Sequence, residues 1–334
     1  MTTVTARARS PSSPATLGGA GVVVVPLIRT SVDRSGEGEA ESPPRLDGVD
    51  GQGTTRLRLD VAYDGGAFFG WGRQPTLRTV QGVLEEALAT VFQRHGEPPR
   101  LTVAGRTDAG VHATGQVAHL DLTPAQLGSL DERRGGGGPE SLARRLNGIA
   151  GLTSDVVVLR SAIAPDGFDA RFSAVWRRYE YRVADSSIPR NPLVRGFTLA
   201  YPAELDVDAM NAAAGALLGL HDWATYCRPR EGSTTIRTLQ AFTWTRQADG
   251  SLLAEVRADA FCHSMVRSLV GASLSVGEGR LPVSALVDLR DAMERTSAFK
   301  VAPARGLTLV EVGYPPDDEL ALRSEMTRAL RSLS

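Results

Sequence analysis

The 334-residue chain has only two cysteines, Cys227 and Cys262, and they form no CxxC or Cys/His cluster. That spacing argues against a disulfide framework or a structural zinc and reads as two buried, inert thiols. Lysine is almost missing: Lys300 is the only one among 37 lysines and arginines. Long apolar runs are missing too. The best, Val22 to Ile28, is interrupted by Pro26 and is too short to span a membrane. No small-residue cleavage site follows it, so it makes a poor secretory leader. These absences predict a cytoplasmic protein with no membrane association. There is no GxxxxGK phosphate loop and no metal constellation, so neither a bound nucleotide nor a metal is expected. The net charge of −1 gives no hint of nucleic acid. The arginine excess is more suggestive, because a guanidinium fork matches phosphate and base edges. A genome rich in arginine codons would give the same count.

What is present is a mixed α and β pattern between low-complexity ends. Residues 1–55 are rich in Ser, Pro, Gly, Thr and Glu without a sustained period, and read as a disordered extension. Gly135 to Gly138, preceded by Asp131, Glu132, Arg133 and Arg134, reads as a flexible surface loop. From Arg56 to Tyr63 apolar and polar residues alternate, which predicts a half-buried strand ending at the Asp64-Gly65-Gly66 turn. Thr79 is a good N-cap for a helix carrying Val80, Val83, Leu84, Ala87, Leu88, Val91 and Phe92, closed by Gly96 and Pro98. A second helix opens at Asp206 and stops at Gly219; a third carries Met265, Val266, Leu269 and Val270 to about Gly277. Residues 283–294 suggest another. Strands are expected at 237–245, 252–258 and 307–312. Leu322, Met326, Leu330 and Leu333 lie at helical spacing and predict a terminal amphipathic helix from Asp317. Half-exposed strands separated by helices indicate an α+β fold with an antiparallel sheet.

One segment could carry chemistry: Ala104-Gly105-Arg106-Thr107-Asp108-Ala109-Gly110-Val111-His112-Ala113. A short apolar strand, Leu101 to Ala104, leads in, and Gln116 to Leu122 leads out. Asp108 then sits at a loop tip, with Arg106 two residues away to hold it ionised. Spacing alone favours a plainer reading, a turn in which Asp108 bonds the local backbone. His112 and His119 read as ordinary polar or core histidines.

The segment resembles the signature of the TruA-type tRNA pseudouridine synthases. Further blocks follow in the family's order. They are Tyr63-Asp64-Gly65 with Gly70-Trp71-Gly72-Arg73-Gln74 and Thr79-Val80-Gln81; Ala170-Arg171-Phe172-Ser173-Ala174 with Arg178-Tyr179-Glu180-Tyr181; Phe261 with Met265-Val266-Arg267 and Leu269-Val270-Gly271; and Ala302-Pro303 with Gly306-Leu307-Thr308-Leu309. Together they cover roughly residues 56 to 314. The resemblance implies a pseudouridine synthase fold of two similar halves, roughly 56–165 and 166–314. These halves surround a mainly antiparallel sheet with flanking helices and a central cleft, and 315–334 forms a tail.

The implied reaction isomerises uridine to pseudouridine in the anticodon stem-loop of tRNA, at roughly nucleotides 38 to 40, without a cofactor. Asp108 is implied as the nucleophile, with Arg106 as its partner and Tyr179 as the platform on which the flipped base stacks. Leu307 is implied beside the base, where a sheet-core role fits nearly as well, and Tyr181 reads as core. Arg171, Arg177, Arg178, Arg182, Arg190 and Arg195 against Glu180 and Asp185 make a local positive stretch. Arg228, Arg230 and Arg237 add to it, and some of these, Arg178 and Arg228 among them, are expected to contact RNA. Family members are homodimers with one tRNA bridging both subunits, so a homodimer is expected here. Gly72 departs from the family's usual glutamine after the tryptophan, which puts one RNA-loop contact in doubt.

Overall fold

The computed structural model describes residues 49–50, 53–131, 137–228 and 234–328. The expected extension therefore lies mostly outside the described residues, as do Gly135, Gly136, Arg230, Leu330 and Leu333.

The first half begins with β1 (Val49–Asp50) and β2 (Thr54–Tyr63). The alternation predicted for β2 is realised: Leu57, Leu59 and Val61 are fully buried, and the strand starts two residues earlier than Arg56. Helix α1 (Val80–Phe92) starts where Thr79 Oγ1 accepts from the Gly82 amide at 3.2 Å. β3 (Thr102–Val103) and β4 (His112–Leu122) flank the signature loop. After α2 (Pro124–Gly128) and α3 (Ser141–Ala150), β5 (Val156–Ile163) pairs antiparallel with β2.

The second half holds β6 (Trp176–Ala184), β7 (Leu199–Ala200), α4 (Val207–Gly215) and β8 (Gly219–Asp222). It continues with β9 (Ile236–Arg246), β10 (Leu252–Ala258), α5 (Met265–Gly277) and α6 (Ala285–Ala292). Asp206 caps α4, accepting from the Ala209 amide at 2.9 Å, but the helix ends at Gly215 and not at Gly219. Residue 219 instead opens β8.

Among the described residues the strands form one sheet ordered β1-β2-β4-β11-β6-β10-β9-β8, where β11 is Leu307–Gly313. This last strand enters the middle of the sheet. It pairs parallel with β4 (Thr308 opposite His112) and antiparallel with β6 (Leu307 opposite Tyr181), so it joins the two halves. α3 packs on β5 and α4 on β9, and nearly every residue of α5 is buried. The fold is thus the expected α+β arrangement, with flanking helices over a central, mostly antiparallel sheet.

Two expectations need correction. Cys227 and Cys262 are not separate thiols; they are paired with each other, Cα to Cα 5.7 Å. The residues between them include the β9–β10 hairpin, whose antiparallel strands return the chain to its starting point. The Arg228 amide then donates to the His263 carbonyl at 2.9 Å. The second correction concerns the tail helix α7 (Leu320–Arg328). It buries Leu320 and Ser324, while Leu322 and Met326 of the expected apolar stripe are exposed. The Ser173 hydroxyl bonds the Leu320 carbonyl at 3.1 Å, and that contact helps fix which face turns inward.

Candidate active site

The signature loop is held from behind by buried hydrogen bonds. The Tyr63 hydroxyl lies 2.8 Å from Thr107 Oγ1. Gln116 Nε2 donates to that hydroxyl at 3.2 Å and to the Gly105 carbonyl at 2.9 Å. Burial pushes the Tyr63 phenol up to about 12, so it stays neutral near pH 7. The loop between β2 and α1 clamps the other side: the Trp71 amide donates to the Thr107 carbonyl at 3.1 Å, and the Gly110 amide to the Phe68 carbonyl at 3.2 Å. Gly70, at φ +91°, allows this approach, since a Cβ there would come within 2.9 Å of the Thr107 carbonyl.

Asp108 therefore projects from a rigid loop with 28% of its side chain exposed. The partners the structure gives its carboxylate come from the far half of the chain. Arg267 Nη1 is 3.4 Å from Oδ2, Ser264 Oγ is 3.3 Å from Oδ2, and His263 Nε2 is 3.4 Å from Oδ1. Arg267 is itself fixed, with Nε donating to the Ala302 carbonyl at 2.8 Å. Ser264 stands at the N-cap of α5 in a left-handed conformation (φ +64°) and makes no capping bond. Its hydroxyl serves Asp108 instead. The positive end of the α5 dipole thus lies beside a carboxylate, a position that stabilises negative charge.

Tyr179 lies on the buried face of β6, and its ring meets Phe261 edge-on at 5.2 Å. Burial raises its phenol well above the ordinary tyrosine value; the nearby Tyr63 adds to the rise, as does Asp108. Leu307 is buried two residue pairs along, opposite Tyr181, while Leu309 stands opposite Tyr179. Tyr181 is fully buried and donates to the Pro303 carbonyl at 2.8 Å, as a core residue would.

The other residues singled out in the sequence fall in different places. The Arg106 stem runs beside Gly72, 3.4 Å from where a Cβ on that glycine would stand. Arg178 points to the opposite face of β6 from Tyr179, among Glu180, Glu255 and Glu311 at 3.0 to 3.3 Å. Arg228 is exposed next to the His263 segment. Arg177, counted with the surface arginines in the sequence, is buried and belongs to the interior. His112 Nδ1 accepts from the Gly65 amide at 3.1 Å, and His119 Nδ1 from the Ala170 amide at 3.0 Å. Both are interior histidines with backbone partners.

His263, Ser264 and Arg267 were missed as contacts of Asp108. The Met265-Val266-Arg267 block was visible, but nothing in local spacing ties it to a carboxylate 159 residues away.

Residues 213–315 match the family described as tRNA pseudouridine synthase. Curated relatives match far more of the chain, each of them named tRNA pseudouridine synthase A. The protein of Leifsonia xyli subsp. xyli is 64% identical over 283 residues, 84% of this chain and 98% of that one. That of Frankia casuarinae is 55% identical, covering 84% and 96%. That of Mycobacterium leprae is 51% identical, covering 83% and 96%. Among solved structures, a Cbf5-Nop10-Gar1 complex matches at 12% identity and a TM-score of 0.27, over 65% of this chain and 45% of that one; a likeness so loose carries no argument. At this identity over nearly the whole length of its relatives, the chain belongs to the tRNA pseudouridine synthase A family, isomerases that convert uridine in tRNA to pseudouridine.

Proposed function

We propose that Asp108 is the group that acts on the target uridine, and that the target lies in the anticodon stem-loop, at roughly nucleotides 38 to 40. The observation that carries this reading is the convergence on Asp108. A carboxylate on a rigid loop tip meets a guanidinium, an imidazole and a helix N-terminus from the other half of the chain.

The reaction breaks the C1′–N1 bond, turns the uracil and forms a C1′–C5 bond. C5 gives up its hydrogen as a proton and N1 gains one, so no redox partner and no net water are consumed. A carboxylate at C1′ can form an ester, stabilise positive charge there, or assist a glycal route. All three need the carboxylate ionised and fixed beside the sugar. Arg267 and Ser264 hold the carboxylate from the far side, and the bonds behind Thr107 fix the loop that carries it. Tyr179, neutral at working pH and braced by Phe261, is the platform for the flipped base, with Leu307 as an apolar neighbour. Arg106 is read as the partner of Asp108 and a substrate contact, and Arg228 as an RNA contact. Arg178 is read as an RNA contact only if tRNA displaces part of its acidic company.

Residues 56–165 and 166–314 are read as the two halves of one catalytic unit. The active protein is read as a cytoplasmic homodimer with a single tRNA across both subunits. In a reducing cytoplasm, Cys227 and Cys262 would stand as adjacent thiols.

The test is tritium release from tRNA labelled at C5 of uridine, comparing the wild type with Asp108→Asn. Release by the wild type alone, mapped to the anticodon arm, is expected. Equal release by the variant would remove Asp108 from the chemistry, and label lost only from other sites would move the target. Sedimentation of the same preparation should give twice the chain mass.

A further inference from the structure

Arg177 stands two residues before Tyr179 on β6, on the same face, with 8% of its surface exposed. A guanidinium in that position must have its donors satisfied, because burying an unpartnered charge is prohibitive. Among the described residues its hydrogen bonds go to main-chain carbonyls. Nη1 donates to the Asp259 carbonyl at 2.8 Å, and Nη2 donates to the Ala104 and Arg171 carbonyls at 2.9 Å each. Burial pulls its pKa down, and the Tyr314, Tyr179 and Asp259 groups work against that; the Arg323 charge works with it.

The identity of those carbonyls gives the arrangement its meaning. Ala104 is the last residue before Gly105, where the loop bearing Asp108 begins. Asp259 follows the end of β10, where the chain turns into Phe261, His263, Ser264 and Arg267. The Asp259 carboxylate is engaged as well, accepting from the Thr238 amide at 3.0 Å and the Ala260 amide at 2.7 Å, so the acceptor is fixed at that end. One planar group therefore spans the two segments that meet at Asp108. The contacts between them are long, 3.3 to 3.4 Å, so small changes in spacing would break them.

We propose that Arg177 is a positioning residue: it sets the distance between the Asp108 loop and the Phe261–Arg267 segment by bonding the main chain just ahead of each, at Ala104 and Asp259. This rests on the reading of Asp108 as the reacting carboxylate. A rigid fork with donors on two nitrogens can hold two fixed carbonyls in register, whereas an ammonium on a flexible stem holds them loosely.

The test uses Arg177→Lys and Arg177→Met, with Asp108→Asn as control. Three quantities are read on the full chain: thermal midpoint, tRNA dissociation constant, and single-turnover C5 tritium release well below each midpoint. The expected result is unchanged tRNA affinity with a release rate down about a hundredfold in the Met variant, the size of loss that a misplacement near 1 Å produces. The Lys variant should recover part of that rate. Normal single-turnover release by folded Arg177→Lys and Arg177→Met, whatever their midpoints, would overturn the proposal and leave Arg177 a packing element. So would failure of both variants to fold at the assay temperature, which would make it a folding residue. If Asp108→Asn retains activity, the reading of Asp108 fails first. If it is inert while the Arg177 variants react normally, only this inference fails.

Discussion

At the scale of single residues, the site depends on neutral groups held where charge is concentrated. Inside a buried shell, the Tyr63 hydroxyl is shared between Gln116 and Thr107, the residue before Asp108 in the loop. Replacing it by phenylalanine keeps the ring and leaves Thr107 and a Gln116 donor short of a partner. Tyr63→Phe is therefore expected to cost about 1–3 kcal/mol of stability and to slow tritium release severalfold at unchanged tRNA affinity. Urea unfolding and single-turnover assays on one preparation check this, and normal release would show that the loop does not need this brace. The αL Ser264 is a second case. Its hydroxyl is withheld from helix capping and given to Asp108, a local cost at the candidate site.

At the scale of elements, the sheet's first half is tied by a cross-strand pair. Arg56 on β2 stands opposite Asp121 on β4, and its Nε and Nη2 reach the two carboxylate oxygens at 2.7 and 2.8 Å. The Arg56 hydrogen bonds hold the Asp121 carboxyl below its ordinary 3.8, despite partial burial. Because the folded value is the lower one, the pair's contribution is fully present above pH 4 and is lost as pH falls through that depressed value. Both side chains are partly exposed, so screening limits the effect to about 0.5–1 kcal/mol. Asp121→Asn should lower the urea midpoint at pH 7, and the two proteins should converge in strong acid. A gap that persists unchanged at pH 2 would assign the loss to packing. The β9–β10 hairpin works at the same scale, returning Cys262 to Cys227 and placing His263 beside Asp108.

At the scale of the whole molecule, β11 is the seam. It is the last strand among the described residues, yet it lies between β4 of the first half and β6 of the second. Gly115 permits the approach, since a methyl group there would overlap the Val310 carbonyl. Gly115→Ala should push β11 off β4, costing about 1–3 kcal/mol and lowering tritium release, because β4 leads directly from the Asp108 loop. An unchanged unfolding midpoint and rate would show that the seam yields without consequence.

Much of this was legible in the chain itself. The alternation from Arg56 to Tyr63, the caps at Thr79 and Asp206, and the strands near 237–245, 252–258 and 307–312 are local patterns, and local sterics and burial reproduce them. Asp108 stood out because its signature is contiguous. The rest depended on contacts between residues far apart in sequence. Arg267, Ser264 and His263 reach Asp108 across the sheet that β11 joins, whereas the inward turn of Arg177 follows the local alternation of β6 and only its carbonyl partners are set by the packing. The pairing of Cys227 with Cys262 and the inward face of α7 were set the same way. The sequence by itself determined most of the elements and set Asp108 apart by its contiguous signature; only the tertiary structure decided that carboxylate's partners, because such proximity is a property of the packed chain and leaves no local period to read.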